Sequence, residues 1–237
     1  MFAPGAICAL DRDCGKLLWR TKLSKYADAS VYLHDGRLFA GSPTTLLALR
    51  PDSGQTIWSF SPYGNHGESI YSSPAVHENR VYIGDRMGWL HCLDAADGKT
   101  LWKRQTNRAR NSDVNSTPVL MHGLAIVSTN ARTAVAYDAL SGKLAWKQQL
   151  DSPSIFGPLV HEGSVLVVSN SCPYFRYAPA RRLVYLSHLH GVDVFRPTTG
   201  TLLCRLHLED DTHGGVGSVD VMEENIYVYA LRHPTDV

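Results

Sequence analysis

The sequence predicts an all-β fold assembled from four-stranded antiparallel units, and three observations carry that prediction. The first is a recurring turn. The stretch Cys92-Leu93-Asp94-Ala95-Ala96-Asp97-Gly98-Lys99-Thr100-Leu101-Trp102 has copies at 9–19, 48–58 and 136–146, and a worn copy at 194–204 with Cys204 in the Trp place. The second is a hairpin signal upstream of the turn. Ser73-Pro74-Ala75-Val76-His77-Glu78-Asn79-Arg80-Val81-Tyr82-Ile83-Gly84 matches segments at 117–127 and 157–167: a β-branched run, a polar turn with Gly or Asn, and a second run. The third is the period, roughly 40–45 residues, which marks an array of supersecondary units. Two hairpins per unit make one four-stranded antiparallel blade, and blades in radial repetition make a β-propeller.

Within each turn, the residue types follow from backbone chemistry. A small apolar pair ends one strand, a polar stretch ending in Gly follows, and the next strand carries Trp. Gly takes the positive φ of a tight turn, and Asp or Ser before it bonds the local backbone. Asp11, Asp94 and Asp138 therefore read as turn formers rather than catalytic acids. Trp four residues past the Gly reads as packing between neighbouring units, because large aromatics carry much buried area. A Pro in the first strand suits an edge position, where its missing N–H costs nothing.

Taken in order, residues 6–20 supply third and fourth strands only. Complete blades follow at about 30–60, 72–104, 116–149 and 157–208, and residues 217–231 supply a first and second strand only. The missing halves complement each other. The expectation is a single domain, 1–237, forming a five-bladed propeller closed by pairing of the N- and C-terminal hairpins. Such closure hides sheet edges that otherwise invite aggregation. A fragment of a larger array is the alternative.

These units resemble the PQQ-like (quinoprotein dehydrogenase-like) β-propeller repeat: a Val/Tyr strand, Gly, an Ala-Leu-Asp strand end, a Gly-Lys turn and Trp. The resemblance covers nearly the whole chain. It implies a propeller, and a scaffold shared by quinone-dependent dehydrogenases and outer-membrane assembly lipoproteins of the BamB type. A PQQ- and Ca²⁺-dependent dehydrogenase is not expected, because those relatives have adjacent cysteines and more blades; no cofactor is expected here. A BamB-type lipoprotein is set aside for want of a leader and a lipid-attachment cysteine after it. Function on such a scaffold has to be argued from the site.

Composition narrows the classes. The net charge of +1 argues against a nucleic-acid surface. No apolar run reaches the length of a membrane helix. The start Met1-Phe2-Ala3-Pro4-Gly5-Ala6 lacks a basic region and runs into a repeat strand, unlike a signal peptide. The five cysteines include no C-x-x-C pair, so neither a zinc knuckle nor a disulfide framework is indicated. A cytoplasmic monomer with reduced thiols is the expectation, export with a removed leader the alternative.

Function is expected on one rim. Turns one–two and three–four are short and repetitive. The inter-blade pieces (21–29, 61–71, 105–115, 150–156 and 209–216) and an expanded two–three loop at about 169–190 vary. Variable loops on a rigid scaffold are where binding usually resides. By alignment Asp28, Tyr71, Asn115, Ile155 and Val216 ring the mouth of the axis. The first reading is a binding module for a small ligand or protein, with Tyr71, Asn115, Arg110, Asn111, Asp113, Tyr174, Arg176, Arg181, Arg182, His188 and His190 as candidate contacts. Arg181 and Arg182 suit a carboxylate or phosphate. His188-Leu189-His190 places two imidazoles on one strand face, but no third ligand is spaced to make a metal site. The alternative is a cofactor-independent enzyme such as a cyclase, isomerase or lyase, with His66, Glu68, Asp28 or His213 for acid–base work on a small substrate in the axial funnel.

Overall fold

In a computed structural model the chain is described over residues 5–23, 31–64, 70, 72–107, 113–150, 158–161, 164–167, 184–188, 191–207, 216–222 and 225–230. It is all strand and turn there. Strands β1 (Ala6–Leu10) and β2 (Leu17–Lys22) form a two-stranded sheet. Strands β3 (Val31–His34), β4 (Arg37–Gly41), β5 (Leu46–Leu49) and β6 (Thr56–Phe60) form the first complete blade in sequential order. The second is β7 (Ala75–His77), β8 (Arg80–Gly84), β9 (Trp89–Asp94) and β10 (Thr100–Gln105). The third is β11 (Val119–Met121), β12 (Leu124–Thr129), β13 (Thr133–Asp138) and β14 (Leu144–Gln149). All three are antiparallel throughout.

The next sheet departs from the expected blade. It has five strands, β15 (Pro158–His161), β16 (Ser164–Val167), β17 (Val184–His188), β18 (Gly191–Phe195) and β19 (Leu202–His207). Strands β16 and β17 meet in parallel, at Val165↔Val184. The stretch assigned to an expanded loop thus contains a strand, because Val184-Tyr185-Leu186 is as β-prone as the strands around it and closes a hairpin onto β18. Strands β20 (Val216–Met222) and β21 (Asn225–Ala230) make a separate two-stranded sheet. Among the described residues the expected closing blade is not seen: β1–β2 and β20–β21 do not share a sheet. A hairpin satisfies its ladder across a two-residue turn, whereas ring closure has to bring together the far ends of the chain. Val216, placed by alignment ahead of its strand, is instead the first residue of β20.

The repeated turn has one geometry. The Gly N–H donates to the carbonyl four residues back at Gly15, Gly54, Gly98, Gly142 and Gly200, over 2.8–2.9 Å. Their φ values of 67–74° lie in the left-handed region, where a side chain is strained. Asp11 Oδ1 accepts from the backbone N–H of Asp13 and Cys14, and Asp138 Oδ1 from that of Ser141. Hydrogen bonds to the side chains of Cys14 and Ser141, together with these N–H bonds, hold both carboxyls below their usual range. The reading of these aspartates as turn formers holds.

The core lies between blades. Strand β7 touches β3 on one side and β11 on the other, and β11 touches β15, so first strands line the inside. Phe39, Leu46, Trp58, Val81, Ile83 and Leu93 fill the space between the first two complete blades. Tyr82, Leu90, Trp102, Val127, Val135 and Tyr137 fill the next. The Trp of each repeated turn crosses from one sheet to the next. The indole N–H of Trp19, Trp58, Trp102 and Trp146 donates to the carbonyl of Pro51, Ala95, Ala139 and Pro197 in the following blade, over 2.7–3.1 Å.

Two phenols are buried in the second of these cores. Burial pushes the Tyr137 hydroxyl up to about 12, and that of Tyr82 higher still. Both remain protonated in the fold at a pH where the unfolded chain, with phenols near 10.0, has released its protons. The native state then binds more protons, so stability is full below pH 10 and falls as pH rises from there through about 12. Denaturant midpoints measured on both sides of that window are expected to drop less steeply in Tyr137→Phe than in the unaltered chain.

Candidate functional site

The described turns and loops sort onto two rims of the sheet array. On one, the one–two and three–four turns lie side by side: Ala95 N–H donates to Asn79 O at 2.9 Å and Ala139 N–H to Gly123 O at 2.8 Å. On the other, the two–three loop after β8 meets the segment that leads to the next blade. Thr106 N–H donates to Gly88 O and Val114 N–H to Asp85 O, each at 2.8 Å.

Asp85 is the centre of this second rim. It is fully buried, and its carboxylate takes four hydrogen bonds. Oδ1 accepts from the backbone N–H of Met87 at 2.8 Å and Trp89 at 2.9 Å, which shapes the loop. Oδ2 accepts from the Tyr63 hydroxyl at 3.0 Å and lies 2.8 Å from His91 Nε2. Four donors satisfy the charge that burial would otherwise penalise. Tyr63 follows β6, so its bond ties the first complete blade to the second. Burial, then the neighbouring Asp85 charge, raise its hydroxyl far above the ordinary phenol value. His91 is 4% exposed, has the Phe60 ring edge-on at 5.3 Å, and leaves Nδ1 without a partner among the described residues. An imidazole so covered is a structural strut, not an accessible base.

Beyond Asp85 the rim continues as hydrogen-bonding groups. Arg86 Nε lies 3.6 Å from Asp113 Oδ2, and Asn107 Nδ2 donates to Thr133 Oγ1 at 2.8 Å. Asn130 N–H donates to the Asp113 carbonyl at 3.2 Å, which binds the start of the third blade to its own two–three loop. Asn115 Oδ1, Ser116 Oγ, Thr129 Oγ1 and Asn130 Oδ1 are buried atoms without a hydrogen-bond partner among the described residues. The contrast with the second blade is direct. There Ser72, the counterpart of Ser116, donates to Gly84 O at 3.1 Å and accepts from Gly84 N–H at 2.8 Å.

Of the residues singled out in the sequence, Asp113 and Asn115 are on this rim, Asn115 four residues ahead of β11. His188 is the last residue of β17. Asp28, His66, Glu68, Tyr71, Arg110, Asn111, Ile155, Tyr174, Arg176, Arg181, Arg182, His190 and His213 lie outside the described residues. Asp85 and His91 were not legible as site residues. The signal that finds them is the repeat itself: they replace Ser42 and Leu47 in one blade, and Thr129 and Val135 in the other.

Comparison with known proteins agrees with this geometry. A family model described as outer membrane protein assembly factor BamB matches residues 3–120, 43–171 and 86–201. Curated proteins named Outer membrane protein assembly factor BamB are similar over a shorter stretch. That of Yersinia pestis is 28% identical over 95 residues, covering 40% of this chain and 23% of that protein. That of Escherichia coli K12 is 28% identical over 96 residues, with the same shares. The matched stretch thus spans about a quarter of those relatives' length. Among solved structures, BamB from Moraxella catarrhalis superposes with a TM-score of 0.72 at 19% identity, covering 97% of this chain and 68% of that one. The quinohemoprotein alcohol dehydrogenase ADHIIG from Pseudomonas putida HK5 superposes at 0.66 and 15%, covering 87% and 40%. At such identities these two likenesses speak for the fold alone. The cytoplasmic expectation finds no support in relatives named for outer membrane assembly. The set-aside of a BamB-type protein rested on the first residues of the chain, and the family match corrects it as to family. Recurring blade, turn and indole geometry and the family match over most of the sequence converge: the chain belongs to the β-propeller family described as outer membrane protein assembly factor BamB.

Proposed function

We propose that this chain is a docking propeller that holds a protein partner during outer membrane assembly, with the variable rim around Asp85, Asp113 and Asn115 as its binding surface. The family match carries the assembly role. The rim assignment is supported by the division between one face built from near-identical turns and another whose loops differ in every blade. On the second face the Arg86 side chain, 49% exposed, lies beside Asp113, while the oxygens of Asn115, Ser116, Thr129 and Asn130, without hydrogen-bond partners among the described residues, are buried and leave the exposed groups to meet a partner. Recognition there is polar, by hydrogen bonds to a partner's backbone and side chains, with Asp85 fixing the loop that presents them. A small ligand on the same groups is the lesser form of this reading.

Site-specific photo-crosslinking in the producing cell tests it. Met87, which is 59% exposed, and Arg132 sit on the variable rim; Ser53 and Leu140, the latter 59% exposed, sit on the opposite one. Adducts with an outer membrane protein are expected from the first pair and not from the second. Adducts confined to Ser53 and Leu140, or formed only with soluble cytosolic proteins, would overturn the proposal.

A further inference from the structure

The chain has five tryptophans. Trp19, Trp58, Trp102 and Trp146 each spend the indole N–H on a carbonyl of the following blade. Trp89 belongs to no repeated turn. It opens β9 at the variable rim and is half-buried, where its counterparts Leu46 and Thr133 are fully buried. Its indole N–H has no acceptor among the described residues. A covered indole normally finds one, and an uncovered one is typical of binding surfaces.

Trp89 and Met87 stand on a braced loop. The backbone N–H groups of both donate to Asp85 Oδ1, at 2.9 and 2.8 Å. Between them the carbonyl of Gly88 accepts from Thr106 N–H and from Thr106 Oγ1, each at 2.8 Å. Met87 is nevertheless exposed. Its counterparts in the flanking blades are the smaller Thr44 and Ala131. A large apolar side chain held out on a loop already fixed loses little backbone freedom on binding, and such side chains anchor interfaces.

Lys103 completes the corner. It lies on β10 with its ammonium 5.0 Å from the centroid of the Trp89 ring. The counterpart Lys147 donates to Thr106 O at 3.0 Å. Lys103 is exposed and has no oxygen partner among the described residues. The described carboxylates of this rim are engaged, Asp85 by four donors and Asp113 beside Arg86. A thioether in solvent, an indole N–H without an acceptor and an ammonium without a carboxylate therefore stand together. The first calls for an apolar contact, the other two for an anionic oxygen.

We infer that Met87, Trp89 and Lys103 anchor a segment of the partner protein in which a Glu or Asp stands next to an aliphatic residue. The carboxylate accepts from Trp89 Nε1–H and pairs with Lys103 Nζ, and the aliphatic side chain lies on Met87. Asp85 is a positioning residue here, acting through the two N–H groups it holds. The inference rests on the docking reading above and adds to its polar contacts one apolar anchor and one charge.

The test labels the chain with 5-fluorotryptophan and titrates in the capped peptide Ser-Gly-Leu-Glu-Leu-Gly-Ser. The Trp89 fluorine resonance is expected to shift and those of the other four indoles to stay. Binding is expected to weaken at least tenfold when Gln replaces the peptide's Glu, and in the Lys103→Gln chain. Trp89→Phe, followed through the amides of Met87 and Gly88, is expected to weaken it as well, because it keeps a ring and loses the N–H. No shift at Trp89, equal binding of the two peptides, or shifts at the repeat indoles would overturn the inference. In the producing cell, adducts from a photo-crosslinker at Arg132 are compared between the unaltered chain and Lys103→Glu. A tenfold drop is expected. An unchanged yield would overturn the anchor and leave the docking reading standing. Adducts missing from the unaltered chain would overturn the docking reading, and the titration then decides the anchor by itself.

Discussion

Replacing Trp102 with alanine is expected to destabilise the chain by about 3–5 kcal/mol, the range for truncating a large buried aromatic. Trp102 is 7% exposed and lies between two blades. Its ring is 5.8 Å from that of Tyr82 and 6.3 Å from that of Tyr137, and the Arg104 guanidinium is 6.0 Å from its centroid. The Gly142 backbone fits beneath it, with no room for a Cβ. A cavity there has backbone on one side and two tyrosines on the other, none of them free to collapse inward, so the penalty falls toward the upper end. The hydrogen bond contributes less. The Ala139 carbonyl that Trp102 reaches at 3.1 Å also accepts from the Tyr82 hydroxyl at 2.9 Å, so losing the indole does not orphan it. Trp102→Phe, which keeps a ring and loses the N–H, is accordingly expected to retain most of the stability. Chemical denaturation with matched slopes checks both variants. A loss within about 1 kcal/mol for Trp102→Ala would show that the indole is not what joins the blades.

What could be read in the sequence, and what could not, divides along a physical line. The Asp94–Gly98–Trp102 pattern is local in origin. The turn needs a positive φ at a fixed place, and Trp needs a neighbouring unit, so every copy reports the same requirement and the blades follow. Leu10 and Leu49 occupy the same place in that pattern and are indistinguishable there; Leu49 is buried because the β1–β2 sheet packs against it, whereas Leu10 is 60% exposed. Ring closure is not seen among the described residues, and complementary strand counts carry no information about whether distant hairpins pair. The extra strand β17 was hidden because the repeat has no place for it, although Val184-Tyr185-Leu186 is ordinary strand sequence. Asp85 and His91 were hidden by position: an acidic residue in a short loop after a Gly reads as a turn former. Its second oxygen faces a Tyr more than twenty residues away, which no local pattern reveals.

That long-range oxygen makes Asp85 the other position of large effect. Asp85→Ala removes the acceptor from four donors at once: the N–H groups of Met87 and Trp89, the Tyr63 hydroxyl, and His91 Nε2. A buried donor left unpaired costs about 1–3 kcal/mol. Tyr63 is half-buried and regains water, so the expected loss is about 3–5 kcal/mol, the range for breaking a buried polar pair by removing one partner. Asp85→Asn keeps the shape but replaces one oxygen by an N–H₂ that donates, so one pair of bonds survives and roughly half the loss is expected by the same reasoning. The distribution of the damage distinguishes this position from Trp102. With Asp85 gone, the loop at 85–88 and the link from Tyr63 across to the second blade loosen first, so hydrogen exchange at Met87 and at Trp89, the first residue of β9, is expected to quicken ahead of β8 and the rest of β9. A double-mutant cycle isolates the inter-blade link. Tyr63→Phe alone is expected to cost about 1 kcal/mol, and nothing measurable in the Asp85→Ala background, because its acceptor is already absent. If Tyr63→Phe were equally damaging in both backgrounds, the two residues would not be acting as one clasp, and the rim between these blades would owe its shape to the apolar contacts beneath it.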